Sequence, residues 1–351
     1  MTGAPALILH VGHSKTGSSA LQSAFALSTD ALARAGIHYP EGRDTEAARA
    51  GRITSGNLDP GDLLATYHRA ARAAPDARAV LLSNEACFAA YLNAPAPLRA
   101  TVEAGVALRI VMFIRDPMDW AISGYMQMVK RAGHTGDFAA FLEKNRFLRR
   151  VEQFFALCDG LGIPVLTRNY SRCRDRLLPE AEALLDLQPG TLTPPPVGQV
   201  NRSMTRAELA LLRAINREFG AAAGYAVADA LCETLPDVMA EAPALTREAF
   251  RAYIARSEPV RKRLNARLSA DDAYLRERYR HHFDPTATAE DAAAMAITGE
   301  QAEVVVATLR AVTTRAPAAD PAPDPIRPSP PPGAPVSGPG WLRRIASGLR
   351  R

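Results

Sequence analysis

A mostly apolar run, Ala6 to Val11, stops at Gly12 and gives way within a few residues to a helical period, and no other feature of the 351-residue chain restricts its fold as much. A run of that length suits a buried strand, and a strand entering a glycine-containing turn and then a helix is how many α/β nucleotide folds begin. From Ser18 onward Leu21, Phe25, Ser28 and Leu32 recur at helical spacing up to Gly36, which suits a left-handed stop. Ala79 to Leu82 and Leu108 to Ile114 are short runs of branched apolar residues, and Pro164 to Thr167 is a weaker fourth. Strands alternating with helices predict an α/β fold: a central, mainly parallel sheet flanked by helices, with ligands beyond the carboxyl ends of the strands. Four polar segments then share one rim: Gly12 to Ser19, Ser83 to Glu85, Arg115 to Ser123 and Arg168 to Tyr170.

After Pro196 the pattern turns helical. Thr205 and Glu208 form a capping-box pair, followed by Leu209, Leu212, Ile215 and Phe219 on one apolar face. Further helices are expected over Arg247 to Arg267, Ala270 to His281 and Glu300 to Val312. Residues 316–340 hold 10 of the 27 prolines and read as an extended or disordered linker. The expected organisation is an α/β core over 1–196, a helical C-terminal annex over 197–315, the linker over 316–340 and a basic tail over 341–351. A helical tail puts Trp341, Leu342, Ile345 and Leu349 opposite Arg343, Arg344, Arg350 and Arg351, as in a peripheral membrane helix; a soluble frayed end fits the same residues.

Composition narrows the function classes. Hydrophobic residues at 47% and charged residues at 23% suit a globular chain and exclude a wholly fibrous or disordered one. No apolar run nears the roughly 20 residues of a membrane span, and Met1 to His10 lacks the layout of a signal peptide. Cys87, Cys158, Cys173 and Cys232 lie far apart with no pair at metal-ligand spacing, so reduced packing thiols in a cytoplasmic protein are expected. A formal charge of +5 is too diffuse to point to nucleic acid, yet it suits a ligand with several negative charges.

The segment Gly12-His13-Ser14-Lys15-Thr16-Gly17-Ser18-Ser19 joins the first strand to its helix. A first helical turn has unpaired N–H groups and the positive end of the dipole, both of which favour phosphate. Glycines let the main chain curl around the anion, Lys15 adds a full charge, and Ser18 and Ser19 add hydroxyls. The usual mononucleotide loop puts lysine immediately after its second glycine. Here Ser18 follows Gly17 and the lysine precedes Gly17 by two positions, which disfavours a conventional ATP or GTP loop. A chance Gly-Ser turn at a helix start is the plain alternative.

Leu108 to Ile114 runs straight into Arg115-Asp116-Pro117, and Ser123 follows Arg115 by eight residues. Pro117 suits the first turn of a helix, so Ser123 falls within about two turns of its start. Such a pair is placed to grip one phosphate from two sides, although a surface turn with a solvent-facing serine uses the same residues. The order K-T-G-S-S at Lys15 to Ser19 resembles the 5′-phosphosulfate loop of sulfotransferases, and the Arg115 and Ser123 pair resembles their 3′-phosphate site. The chain is similar to bacterial P-loop sulfotransferases of the subgroup related to carbohydrate sulfotransferases. The match covers Leu7 to Gln22, Val80 to Glu85, Ile110 to Lys130 and, more loosely, Val200 to Asn216; the first and third stretches are the specific ones.

That resemblance implies a P-loop fold and 3′-phosphoadenosine 5′-phosphosulfate (PAPS) as sulfonate donor. It implies donor contacts at Gly12, Ser14, Lys15, Thr16, Gly17, Ser18, Ser19, Arg115 and Ser123, and release of 3′,5′-phosphoadenosine (PAP) with a sulfated acceptor, a carbohydrate for preference. His13 and Ser14 depart from the proline often found before the lysine, which affects loop shape and removes no ligand. In-line transfer builds charge on the bridging oxygen of the departing phosphate, and a fixed cation there lowers the barrier. Lys15 is the candidate, steered by Ser123 as the resemblance implies. No metal is required, and no His, Asp and Glu cluster has ligand spacing.

A hydroxyl acceptor must lose a proton. Glu85 is the expected base, though a carboxylate there also fits a helix start capped by Ser83 or Asn84. His13, His38 and His134 are its rivals. Tyr125, Gln127 and Lys130 beyond Ser123, Arg168 and Tyr170 at the fourth strand, and Asn201 with Ser203 are further contact candidates whose spacing compels nothing. A P-loop kinase shares the strand-loop-helix start. The displaced lysine stands against it, as does the lack of an evident Mg²⁺ carboxylate unless Glu85 serves. A non-catalytic nucleotide-binding module is the third reading.

Overall fold

A computed structural model describes residues 4–13, 15–52, 54–196, 203–239 and 297–314, with residue 243 and the stretches 248–249, 251–253 and 255–259. Ser14, Asn201, the linker and the tail lie outside the described residues, as do most positions of the helices expected at 247–267 and 270–281; the short stretches 248–249, 251–253 and 255–259 are helical.

Five strands form one sheet in the order β2-β3-β1-β4-β5, where β1 is Ala6–Val11, β2 Ile37–His38, β3 Ala79–Asn84, β4 Leu108–Ile114 and β5 Val165–Asn169. Every neighbouring pair is parallel, so the α/β fold expected from the sequence is present. The chain leaves β1 to build β2 and β3 on one side and then crosses to β4 and β5 on the other. The order therefore reverses just beyond Val11, the position at which open parallel sheets place their ligands. Leu7, Ile8, Leu9 and Val11 are all fully buried, since a parallel sheet is covered on both faces, and β1 accordingly reads as a nearly unbroken apolar run. On one face Ile8, Leu81, Val111 and Phe113 pack in the same core as Leu21, Ala24 and Phe25 of helix α1, Ser18–Leu27.

Several boundaries differ from the sequence expectation for physical reasons. Strand β2 carries no period in its two residues and exists through pairing with Ala79 and Val80. Strand β3 continues through Ser83 and Asn84, and β5 is Val165–Asn169, because their polar ends stay in the ladder: Asn84 opposite Val11, and Asn169 opposite Ile114. The helix expected from Ser18 to Gly36 breaks at Ser28 into α1 and Thr29–Arg34. There Ser28 leaves helical geometry, and its hydroxyl accepts from the Thr193 N–H at 2.8 Å. Gly36 is left-handed, at φ 76°.

The described residues fall into two compact units, one from the 4–121, 146–196 and 255–259 stretches and one from 122–145, 203–239, 251–253 and 297–314. The second unit contains Phe138–Lys144, Arg206–Glu218, Gly220–Thr234 and Gly299–Thr314, all helical. The Thr205 side chain accepts from the Glu208 N–H, and Glu208 accepts from the Thr205 N–H, completing the expected capping box. Leu209, Leu212 and Ile215 are buried as the period requires. Phe219 is instead 53% exposed, because the helix ends at Glu218 and the chain leaves the periodic path there.

Candidate functional site

Between Val11 and Ser18 the chain turns through two left-handed residues, Lys15 at φ 67° and Gly17 at φ 78°. For a residue with a side chain that conformation costs about 1–2 kcal/mol, so the surrounding contacts must impose it on Lys15. The Thr16 hydroxyl donates to the His13 carbonyl, and Arg115 Nη1 donates to the Lys15 carbonyl at 3.2 Å. A Cβ on Gly12 would lie 2.6 Å from the Glu85 Cα and 2.8 Å from Ser18 Oγ, and one on Gly17 would lie 2.6 Å from Leu177 Cδ2 and 3.0 Å from the Tyr170 ring. The loop is thus wedged between the residue that follows β3 and the segment that follows β5.

The start of α1 is prepared for an anion. Gly17 is the N-cap, no side chain caps the helix, and its first turn holds no acidic residue. The first-turn amides of a helix have no helical acceptors, and the dipole adds positive potential at the same place. Ser18 Oγ is buried without a hydrogen-bond partner and faces Gly12. An anionic ligand there would give acceptors to the first-turn amides and to Ser18 Oγ, which is the fit expected of a phosphate or phosphosulfate group.

Two more side chains reach this loop. Glu85 comes directly off β3, and its N–H donates to the Ser55 carbonyl at 3.4 Å. Burial pushes its carboxyl above the ordinary range, while the Lys15 ammonium draws it back, so the two charges feel each other. Arg115 comes off β4, with its guanidinium 5.8 Å from the centre of the Tyr170 ring as well as on the Lys15 carbonyl. The adjoining strand ends are tied together: the Asp116 N–H donates to Ser171 Oγ at 3.0 Å, and Asp116 Oδ1 accepts from the Met118 N–H to start the helix Pro117–Ala132.

The other residues singled out from the sequence have the following surroundings. His13 is buried at 2% exposure, its ring 4.5 Å from Phe147, 4.9 Å from Phe88 and 5.8 Å from Trp120, which is a packing environment. His38 pairs with Val80, and the end of β3 lies four residues further on, roughly 13 Å at strand spacing, so His38 is not brought to the rim. In the second unit, the His134 ring packs on Tyr125 and Phe141; burial, then Arg213 and Lys144, lower its pKa. Ser123, half-buried, lies in that unit's part of the Pro117–Ala132 helix with Tyr125, Gln127 and Lys130. The Tyr125 hydroxyl donates to the Gly136 carbonyl at 3.2 Å, and Lys130 Nζ lies 3.3 Å from Cys232 Sγ. Arg168 pairs with Glu180 at 2.8 Å, and Ser203 is exposed. Among the described residues no group of three or more His, Cys, Asp and Glu is arranged to hold a metal, and all four cysteines are buried and form no disulfide.

A buried polar chain behind the loop escapes sequence reasoning altogether. His10 Nδ1 and Ser83 Oγ share a hydrogen bond of 2.8 Å, Gln22 Nε2 donates to Ser83 Oγ at 3.3 Å, and Gln22 Oε1 accepts from Thr54 Oγ1 at 3.2 Å. Burial lowers the His10 pKa to about 4, so the imidazole is neutral at ordinary pH. The partners are 32 to 73 residues apart, and the one local hint is a polar residue inside each apolar run.

No family model matches the sequence, and no curated protein matches it significantly. A crystal structure of a sulfotransferase from Alicyclobacillus acidocaldarius is similar to 78% of this chain and 100% of its own, at 15% sequence identity and a TM-score of 0.39. Identity and superposition are both too low for that likeness to bear on function, which has to be read from the residues at the end of β1.

Proposed function

We propose that this protein is a sulfotransferase that moves the sulfonate group of PAPS to a hydroxyl or amine acceptor, a carbohydrate for preference. The observation that carries this reading is an uncapped helix start at the point where the strand order reverses, with a left-handed lysine in its loop and an arginine from the next strand bonded to that same loop. The first-turn amides, with the buried Ser18 hydroxyl, Ser19 and Thr16, hold the 5′-phosphosulfate end. Ser14 belongs to the same loop by sequence.

Lys15 neutralises charge that develops on the bridging oxygen as the sulfur–oxygen bond breaks. Arg115 grips the 3′-phosphate, with Ser123 as a second donor on the strength of its spacing in the sequence. Glu85, whose proton affinity is raised by burial and lowered by Lys15, takes the acceptor's proton as the new bond to sulfur forms. The displaced lysine disfavours ATP, and the proposed partners include neither metal nor nucleic acid. Among the described residues no helix is long and apolar enough to cross a membrane.

Incubation with ³⁵S-labelled PAPS and a panel of oligosaccharides tests the proposal. Label should pass to at least one glycan with equimolar PAP release, and Lys15→Ala should slow it by about 10²–10³. Phosphate transfer from ATP with Mg²⁺ under the same conditions, with the sulfonate label left in PAPS, would establish the kinase reading instead.

A further inference from the structure

The buried polar chain behind the loop bears directly on Glu85. The segment Ser55 to Asn57 crosses the end of β3 as a strap: Gly56 bridges Asn84 in antiparallel fashion, the Asn57 N–H donates to the Ser83 carbonyl at 3.0 Å, and the Ser83 N–H donates to Asn57 Oδ1 at 2.8 Å. The approach is so close that only glycine fits at 56. Its φ is 105°, and a Cβ would sit 2.0 Å from the Ser83 carbonyl oxygen. The strap also receives the Glu85 N–H, on the Ser55 carbonyl.

The Gln22 amide, fully buried in α1, reaches both parts. Its Nε2 donates to the Ser55 carbonyl and to Ser83 Oγ, each at 3.3 Å, and its Oε1 accepts from Thr54. One side chain on the helix that presents the anion-binding amides thus holds the backbone to which Glu85 is attached. A buried amide in a satisfied network fixes its partners tightly, because moving any one of them strands another without a partner.

Resting on the reading of Glu85 as the base, we propose that Gln22 is a positioning residue: through the Ser55 carbonyl it sets the distance between the Glu85 carboxylate and the start of α1. The Gly12 N–H on the Asn84 carbonyl, at 3.3 Å, holds the end of β3 to the anion loop, and Gln22 holds it to α1. A misplacement of about 1 Å at a reacting group can cost on the order of 10² in rate, so the effect is measurable although Gln22 touches no ligand.

The test uses Gln22→Met, which keeps length and loses the hydrogen bonds, and Thr54→Val, which removes only the donor to Gln22. Glu85→Gln serves as control. The readouts are the midpoint of the Glu85 carboxyl ¹³C titration, assigned by its loss in Glu85→Gln, the affinity for PAP, and label transfer to the oligosaccharide panel. For Gln22→Met we expect PAP affinity within about threefold of wild type, transfer down by about 10², and a Glu85 midpoint shifted down toward the free-carboxylate value as water reaches it. Thr54→Val should lower transfer and the Glu85 midpoint by less, again with PAP affinity within about threefold of wild type, and decides the matter if Gln22→Met does not fold. If either variant folds, binds PAP and keeps both the wild-type midpoint and the wild-type transfer rate while Glu85→Gln is inactive, Gln22 has no positioning role. If Glu85→Gln itself retains transfer, the base assignment is wrong and the positioning role falls with it.

Discussion

The two ends of one parallel sheet both carry arginine, and they use it differently. At the amino-terminal end, Arg78 and Arg109 line a groove of about 510 Å³ with Ala6, Ala79, Leu108 and Pro164. Arg78 donates to the carbonyls of Ala35, Leu185 and Asp186, two of them the residues that close helices, and Arg109 pairs with Asp186 at 3.0 Å. The Arg78 guanidinium finishes helix ends whose carbonyls would otherwise lack donors, and Arg109 is closed by a carboxylate. At the carboxyl end, Arg115 sits on a loop that also presents an uncapped helix start, a buried hydroxyl and a left-handed lysine. Positive side chains alone do not make an anion site. The difference lies in the backbone amides of an uncapped helix start.

The sharpest break between the ends should come from charge removal. Lys15→Ala is expected to cut PAPS turnover by about 10²–10³, whereas Arg109→Ala should leave it within about twofold; comparable losses from both would erase the distinction. Glycine substitution separates backbone strain from site geometry. Gly17 and Gly105 have similar left-handed φ values, 78° and 74°, but a Cβ on Gly105 meets no atom within 4 Å among the described residues. Urea denaturation of Gly105→Ala should show a loss of about 1–2 kcal/mol with PAP affinity unchanged. Gly17→Ala should lose at least as much stability and, in addition, roughly tenfold or more in PAP affinity by calorimetry.

His10, next to last in β1, provides a pH-dependent effect. Its folded-state pKa of about 4 lies below the unfolded value of 6.5. The stability it contributes is therefore complete above about 6.5 and is lost as pH falls through about 4, a total of order 3 kcal/mol. Urea melts between those limits should slope downward toward acid in wild type and flatten in His10→Gln; parallel slopes would mean that the imidazole is not held neutral.

How much was legible in the sequence depended on distance along the chain. The strand, the loop and α1 were legible because all their signals lie within Ala6 to Phe25, and Arg115 was legible because an apolar strand runs into it. Strand β2 was not, because two residues hold no period and need β3 beside them. Nothing near His13 announces that Phe88, Trp120 and Phe147 enclose it, and nothing near Gln22 announces a strap 33 residues away. The residues proposed to face a ligand are local in sequence; the packing around them is not.

In the proposed site one loop and one arginine together distinguish a 3′-phosphorylated adenosine nucleotide from ordinary ones. Titration calorimetry with PAP, AMP and Mg²⁺–ATP tests it most directly. PAP should bind about 10² more tightly than AMP, a difference of about 2.7 kcal/mol, and Arg115→Ala should bring PAP down to the AMP level. Tightest binding of Mg²⁺–ATP, or equal binding of PAP and AMP by the wild-type protein, would contradict the account.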